Sequence, residues 1–490
     1  MPTESLKKKC IIGVANLLIN YNWLYSRLYS QINPFSCFPS QLVEELISVV
    51  VKVTSRGELM HQELCPLLKS GRVKNFELCD VRIRTEEFVS ILNCLGTCGY
   101  RLIKLIFCRV QCIKSERAKL LRSEAVENLL RLSPNIEHLY LDIPIDIDVL
   151  KFAVHLKWLE LRFFPRVGDL KSLFPQCSES QMSSVSNLQH VSIFEGSQHT
   201  IPVDMIASLL QYTPQLLCLE NNIAEALELL HGQELDNGTL CHKYKLRRII
   251  LGNSFLEPDR SPASLRAIKI AALTCPDVTE MDLIVNNNDA VMAISQMKQL
   301  HTIIIQWADV IPPGDFQKGY HFLIQTLGRQ LRSLGIIFFK NVDFGMIISL
   351  CHNLVNLKVI FEMEICKFTP YNNNLYDLQT LHLECMTNTG PSANLLIALI
   401  SNCPNVKMLF LIYVPHFTDS VLFKITSKNN LSKLQDITIV DCNLTIEGLQ
   451  WLLKSCPLLE TMRIRSSMII LDEALPIVQS LNTKVKLMCI

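Results

Sequence analysis

Apolar residues recur along most of the chain in one short phrase, a turn followed by the pattern LxxLxL. Five clear copies begin at Ser133, Thr213, Cys275, Cys403 and Cys456, and each of these residues is followed by proline. Alternating apolar residues predict a short strand that turns every second side chain inward. The proline that follows each of these five residues indicates that a preceding helix ends there.

The phrase extends further when any aliphatic residue is allowed at the leucine positions. Its first apolar residue then falls at Val73, Leu102, Ile136, Leu156, Leu188, Leu216, Leu246, Val278, Leu300, Leu331, Leu354, Leu378, Val406, Leu434 and Leu459. The mean step is about 28 residues, which is typical of leucine-rich repeats. Individual steps range from 20 residues, between Ile136 and Leu156, to 34, between Leu102 and Ile136. We therefore expect an irregular horseshoe.

The segments between the strands carry a helical pattern. Val126, Leu129 and Leu130 stand at helical spacing before the turn at Ser133, and the same spacing recurs over residues 449–453. A single strand-and-helix unit cannot bury its apolar face alone, so neighbouring units must stack. The predicted fold is an α/β leucine-rich-repeat solenoid over residues 71–490. It resembles the long-repeat, helix-backed receptors of ubiquitin ligases. The asparagine that usually follows the last leucine of the repeat is missing almost everywhere, and only Cys442 occupies that position as the cysteine seen in some repeats.

The first fifty residues have a different rhythm and predict two helices. Leu6, Cys10 and Val14 are spaced by four, and residues 17–18 continue this stripe while residues 7–9, three lysines, turn away. In the second element, Pro39 marks a helix start, and the apolar residues before and after it are also spaced by four: Phe38, Leu42 and Leu46. One interpretation is that both helices only cap the first repeat, because the end of a solenoid needs a cover.

The content and order of these two elements resemble a von Hippel-Lindau box. Ser5, Leu6, Cys10 and Val14 match the BC box, (S/T)LxxxCxxx(A/V/I/L), through which substrate receptors bind elongin C. The apolar-proline pattern over residues 38–46 is similar to a cullin-2 box. The resemblance is to leucine-rich-repeat substrate receptors of cullin-2 ubiquitin ligases, such as the zyg-eleven/zer-one group and PRAME-like proteins. It implies that Leu6, Cys10 and Val14 bind elongin C within elongin B/C. It also implies that Phe38, Pro39, Leu42 and Leu46 contact cullin 2.

Two departures limit this resemblance. Zyg-eleven-type receptors continue into armadillo-like repeats, whereas here the LxxLxL phrase persists to Leu459, so their substrate preference is not carried over. Residues 38–46 would also serve as the opening of an F-box, the adaptor module of cullin-1 ligases, but its tryptophan-bearing second half is not recognisable in residues 50–70. A leucine-rich-repeat scaffold or inhibitor with no attached ligase is the other alternative.

The predicted organisation has three parts and one candidate surface for an unknown protein substrate. Residues 1–50 form the helical box, residues 51–70 a connecting helix or linker, and residues 71–490 the repeats. Alternation places the residues two, four and six after each opening residue on the open side of the strands. Tyr140, Trp158 and Arg162 are the best candidates there, since aromatic and arginine side chains dominate protein interfaces.

Composition removes several other functions. The 47 lysines and arginines nearly balance the 46 aspartates and glutamates, so net charge does not indicate nucleic-acid binding. The chain has no uninterrupted apolar run long enough to predict a membrane span. The 19 scattered cysteines favour free thiols and a cytoplasmic or nuclear location. Cys94, Cys98, Cys108 and Cys112 superficially suggest zinc, but core packing explains them better. No catalytic or nucleotide motif appears, so we expect a non-catalytic adaptor without a cofactor.

Overall fold

A computed structural model describes most of the chain. The described residues are 6–20, 33–54, 59–112, 116–163, 186–193, 201–252, 261–308, 313–361, 366–367, 375–386, 390–465, 475–478, 480 and 485–489. They form two compact units, Met1–Asn221 and Asn222–Ile490. Each unit is an alternation of parallel strands and returning helices, the α/β leucine-rich-repeat architecture that the sequence predicts.

The first unit begins with three helices and continues as repeats. Its helices are α1 Leu6–Asn20, α2 Ser40–Thr54, α3 His61–Leu68, α4 Thr85–Gly96, α5 Glu116–Leu132 and α6 Val203–Tyr212. Its strands are β1 Asn75–Cys79, β2 Lys104–Cys108, β3 His138–Leu141, β4 Trp158–Leu161, β5 His190–Ile193 and β6 Cys218–Asn222. These strands lie side by side in chain order, and each neighbouring pair is parallel.

The second unit repeats the same alternation. Its helices are α7 Ala224–Asp236, α8 Leu265–Thr274, α9 Asn288–Ala293, α10 Phe316–Leu327, α11 Phe344–Leu350, α12 Ala393–Ser401, α13 Asp419–Lys428 and α14 Ile446–Ser455. Its long strands are β7 Arg248–Leu251, β8 Glu280–Val285, β9 Thr302–Trp307, β11 Ser333–Ile337, β14 Asn356–Phe361, β16 Thr380–Cys385, β17 Met408–Ile412, β18 Asp436–Val440, β19 Thr461–Arg465 and β20 Lys486–Cys489. Four two-residue strands form two small pairs: β10 Gly314–Asp315 with β12 Phe339–Lys340, and β13 Val342–Asp343 with β15 Cys366–Lys367.

The predicted opening residues coincide with the strands of both units. Every one of them, from Val73 to Leu459, is at most 3% exposed and stands two residues before a strand. The repeat frame is therefore confirmed from end to end. β20 was not predicted, because a lysine, Lys484, occupies the position where the other repeats have an aliphatic residue.

In most strands, less buried and fully buried side chains alternate. In β1 and β3, for example, the second and fourth residues are buried while the first and third are not. The buried side chains pack against the helices, as Phe107 of β2 does against Phe88 of α4 at 5.1 Å between ring centroids. The first and third side chains of each strand point away from the helices, and we call this side of the sheet the open face.

A left-handed residue follows several strands and turns the chain back toward its helix. Asp80, Arg109, Phe338, Tyr413 and Asp441 each come directly after a strand with a φ between 49° and 62°. This conformation is unusual for residues other than glycine. Cys442, directly after Asp441, is buried, and its thiol donates to the carbonyl of Leu411 at 3.5 Å.

The first two helices cover the edge of the first repeat. α2 packs on α1, on α3 and on β1, and buries its own apolar stripe, Val43, Leu46, Ile47, Val50 and Val51. It continues to Thr54, past the predicted boundary at residue 50. Among the described residues, no helix is long and apolar enough to cross a membrane.

Candidate protein-interaction sites

The helix α1 has two apolar faces with different surroundings. Ile11, Ala15 and Leu18 are 8%, 0% and 1% exposed and lie against α2. Residues at positions i, i+4 and i+7 form one stripe of a helix, so these three anchor α1 to the protein. Leu18 therefore belongs to the anchoring stripe, and its predicted place in the stripe of Leu6 is wrong.

The BC-box residues lie on the other face. Leu6 is 78% exposed, Cys10 is exposed and Val14 is half-buried. Leu17 continues this face at 52% exposure. Leu6, Cys10 and Leu17 therefore form an exposed apolar strip along α1.

The second box is divided between surface and core. Pro39 is exposed, while Phe38 and Leu42 are half-buried, and the carbonyl of Pro39 accepts the first backbone hydrogen bond of α2, from Leu42 at 3.0 Å. Pro39 thus stands at the start of the helix, as the sequence predicts. Leu46 differs from the rest because it is only 2% exposed and belongs to the core. The surface of this box therefore consists of Phe38, Pro39 and Leu42, and Leu46 holds it in place from below.

An acidic side chain fixes α2 on the sheet edge, a contact that the sequence did not reveal. The Glu44 carboxylate accepts hydrogen bonds from the backbone N–H groups of Lys74 and Asn75 at 2.8 and 2.9 Å. These groups belong to the edge of β1, where unpaired N–H groups invite unwanted strand pairing. The next residue of α2, Glu45, forms a 2.8 Å ion pair with Lys7 of α1. The two boxes are thus held together on one side of the first unit.

The predicted substrate residues lie on the open face of β3 and β4. Trp158 is 39% exposed, and Arg162 follows β4 at the surface. The guanidinium carbon of Arg162 lies 5.9 Å from the centre of the Tyr140 ring, and the guanidinium also pairs with Glu160. Burial, together with the neighbouring Cys108 thiol, raises the pKa of Tyr140 to about 12, so its hydroxyl stays protonated at neutral pH.

Aromatic rings stack across three neighbouring strands of this face. His138 opens β3, Trp158 opens β4 and His190 opens β5, and the strand register aligns all three. The indole of Trp158 lies 3.5 Å from the imidazole of His190 with 12° between their planes, and 6.0 Å from that of His138. Only one face of Trp158 is thus tightly covered. The row forms a rigid aromatic surface, which is the chemistry of interface anchors.

The second unit carries an apolar groove on its own open face. The groove has a volume of about 500 Å³, and its lining includes Ile250, Ile304, Phe338 and Met386. Gln306 borders it with a buried side-chain nitrogen for which the described residues offer no hydrogen-bond acceptor. A buried donor of this kind is costly unless a ligand or water supplies the acceptor. Sequence reasoning missed this groove because its lining comes from several separate strands, which share no local sequence pattern.

The four cysteines that superficially suggest zinc do not come together. The Cys94 sulfur lies 3.3 Å from that of Cys65, whereas Cys108 stands opposite Cys79 in the strand register. The hydrogen bond from the Cys94 thiol lowers the pKa of Cys65 to about 6. The sixteen cysteines whose side chains the structure describes are free thiols.

The repeats and their open faces define the chain as a leucine-rich-repeat protein with a helical amino-terminal cap. No family model and no curated protein matches it. Among solved structures, it is similar to the yeast complex of Rad7 and Elc1, with 12% identity, a TM-score of 0.45 and coverage of 99% of this chain and 98% of that one. It is also similar to the leucine-rich repeat-containing protein LegL7 from Legionella pneumophila, with 12% identity, a TM-score of 0.31 and coverage of 64% and 98%.

Proposed function

We propose that this protein is the substrate-recognition subunit of a cullin-2 ubiquitin ligase. In this role α1 binds elongin C within elongin B/C, the start of α2 contacts cullin 2, and the open face of the repeats holds a target protein. The chain performs no chemistry itself. It works in the cytoplasm or the nucleus, where its free thiols stay reduced.

The observation that carries the proposal is the division of α1 into two apolar faces. A helix that only caps a solenoid needs one apolar face, and Ile11, Ala15 and Leu18 already provide it. The BC-box positions Leu6 and Cys10 are surplus to that task and remain in water. Full burial of one leucine contributes about 1.5–3 kcal/mol, so a partner with an apolar pocket gains substantially from Leu6.

The position of the second box supports the same assignment. Pro39 and Leu42 start α2, and the ion pair between Lys7 and Glu45 links α2 to α1. Because α2 is itself fixed to β1 through Glu44, two proteins bound at these boxes would be held rigidly relative to the first repeat.

The experiment is co-expression of the full chain with elongin B/C and cullin 2, followed by affinity purification through this chain. The wild type should retain all three partners. Cys10→Arg places a charge in the elongin contact and should lose all three. The double change of Pro39→Ala with Leu42→Ala should lose cullin 2 and keep elongin B/C. Leu120→Arg is the matched control, because Leu120 is a 59% exposed leucine on α5, a helix that belongs to neither box.

Failure of the wild type to retain elongin B/C would remove the ligase proposal and leave the freestanding scaffold. Retention of cullin 1 through an F-box adaptor in place of elongin would instead identify residues 38–46 as part of an F-box. Equal retention by the Cys10→Arg and Leu120→Arg variants would show that α1 is not the contact.

A further inference from the structure

Three metal-binding side chains meet on the open face of the first unit. His190 opens β5 and Cys218 opens β6, and the two residues are register partners on these parallel strands. Glu220 lies two residues further along β6, so its side chain projects from the same face. One ligand atom from each residue lies within 4.8 Å of the other two, and the His190 Nε2 and Glu220 Oε1 atoms are 3.8 Å apart. Among the described residues, this is the one group of three or more such side chains that could hold a metal ion.

The distances suit a small transition-metal ion. Zinc is bound by imidazole nitrogen at about 2.0–2.1 Å, thiolate sulfur at about 2.3 Å and carboxylate oxygen at about 2.0–2.2 Å, in tetrahedral geometry. Ligand atoms around such an ion lie roughly 3.3–3.7 Å from one another. The 3.8 Å separation of His190 and Glu220 is close to this value, and the Cys218 sulfur lies within 4.8 Å of both ligand atoms. We propose that His190, Cys218 and Glu220 form a zinc-binding site.

The surroundings prepare these side chains for a metal. Trp158 stacks on the His190 ring at 3.5 Å and nearly parallel, which restricts rotation of the imidazole. His190 is only 7% exposed, while Cys218 and Glu220 are half-buried. The backbone of all three is held by strand pairing, and rigid strands position ligands more accurately than loops do. Binding therefore requires little ordering of the protein.

The ligand types select the metal. Thiolate and imidazole favour zinc, whereas magnesium and calcium take oxygen ligands. Three protein ligands leave the fourth tetrahedral position to water or to another molecule, as in zinc sites that exchange a ligand. Since the site shares the open face with Trp158, a histidine, cysteine or carboxylate side chain of a bound protein can occupy that position. This last step rests on the proposed function, whereas zinc binding itself does not.

The test uses the purified full chain, stripped of metal with a chelator and dialysed under reducing conditions. Cobalt(II) is added first as a spectroscopic probe, and zinc affinity is then measured by competition with a chromophoric chelator. The expected result is one equivalent of bound metal with a thiolate-to-cobalt charge-transfer band. Cys218→Ser should abolish that band, and removal of a direct ligand should weaken zinc binding by more than about 100-fold.

Matched variants separate this site from the other thiols. Cys241→Ser removes an exposed cysteine outside the group, and His138→Ala removes the histidine on the other side of Trp158. Both should keep the stoichiometry and the affinity of the wild type. Glu220→Gln keeps the size of the side chain and weakens binding, which serves as a second variant if His190→Ala does not fold.

Absence of stoichiometric zinc binding by the wild type would overturn the proposal. So would affinity unchanged by Cys218→Ser and Glu220→Gln in chains whose circular-dichroism spectra match the wild type. Both results are independent of elongin binding, so failure of this site and failure of the ligase proposal are distinguishable.

Discussion

The two faces of α1 can be separated by one chemical change made at two positions. Leu18→Ala removes a side chain that is 1% exposed and lies against α2. Truncation of a buried leucine to alanine costs about 2–5 kcal/mol. Leu6→Ala removes the same atoms from a side chain that is 78% exposed, so its cost should stay within about 0.5 kcal/mol.

Amide hydrogen exchange is the suitable measurement, because the ends of a solenoid open locally before the whole chain unfolds. At about 1.4 kcal/mol per tenfold change, Leu18→Ala should raise the open fraction of α1 by at least about 30-fold. Leu6→Ala should change it by less than about threefold, and should weaken elongin B/C binding instead. Equal loss of protection in the two variants would refute the separation of an anchoring face from a binding face.

Three further predictions concern other parts of the first unit. Glu44→Ala leaves the N–H groups at the edge of β1 without their carboxylate and should cost about 1–3 kcal/mol of local stability, measured by exchange of the Lys74 and Asn75 amides. Cys65, with its pKa lowered to about 6, should react with iodoacetamide at pH 7 faster than the other thiols, and Cys94→Ala should abolish this advantage; slow alkylation of wild-type Cys65 would contradict it. Trp158→Ala should release a bound target protein while elongin B/C stays bound, as measured by affinity purification; unchanged target retention would exclude this part of the open face.

The repeat frame was predictable because it rests on a strong physical constraint. Each opening residue must be apolar to enter the core between strand and helix, and every predicted one does, from Val73 to Leu459. β20 was not predicted because Lys484 stands where the other repeats have an aliphatic opening residue. The left-handed residues after the strands were not predicted either, since no sequence pattern marks this conformation at residues such as Asp80 and Arg109.

The candidate sites were predictable only in part. α1 is apolar on both sides, so periodicity alone could not tell which leucines anchor it, and Leu18 was assigned to the wrong stripe. The same ambiguity hid the burial of Leu46. Contacts between distant residues carry no local signal: Cys218 and Glu220 meet His190 only because two strands pair.

The central claim is that the exposed strip of α1 binds elongin C. The most direct test is calorimetric titration of the purified chain with the elongin B/C heterodimer, using the wild type, Leu6→Arg and Leu120→Arg. The account predicts saturable one-to-one binding by the wild type and by Leu120→Arg, and its loss in Leu6→Arg, whose fold should be unchanged because Leu6 is 78% exposed. No binding by the wild type, or equal binding by all three, would contradict it.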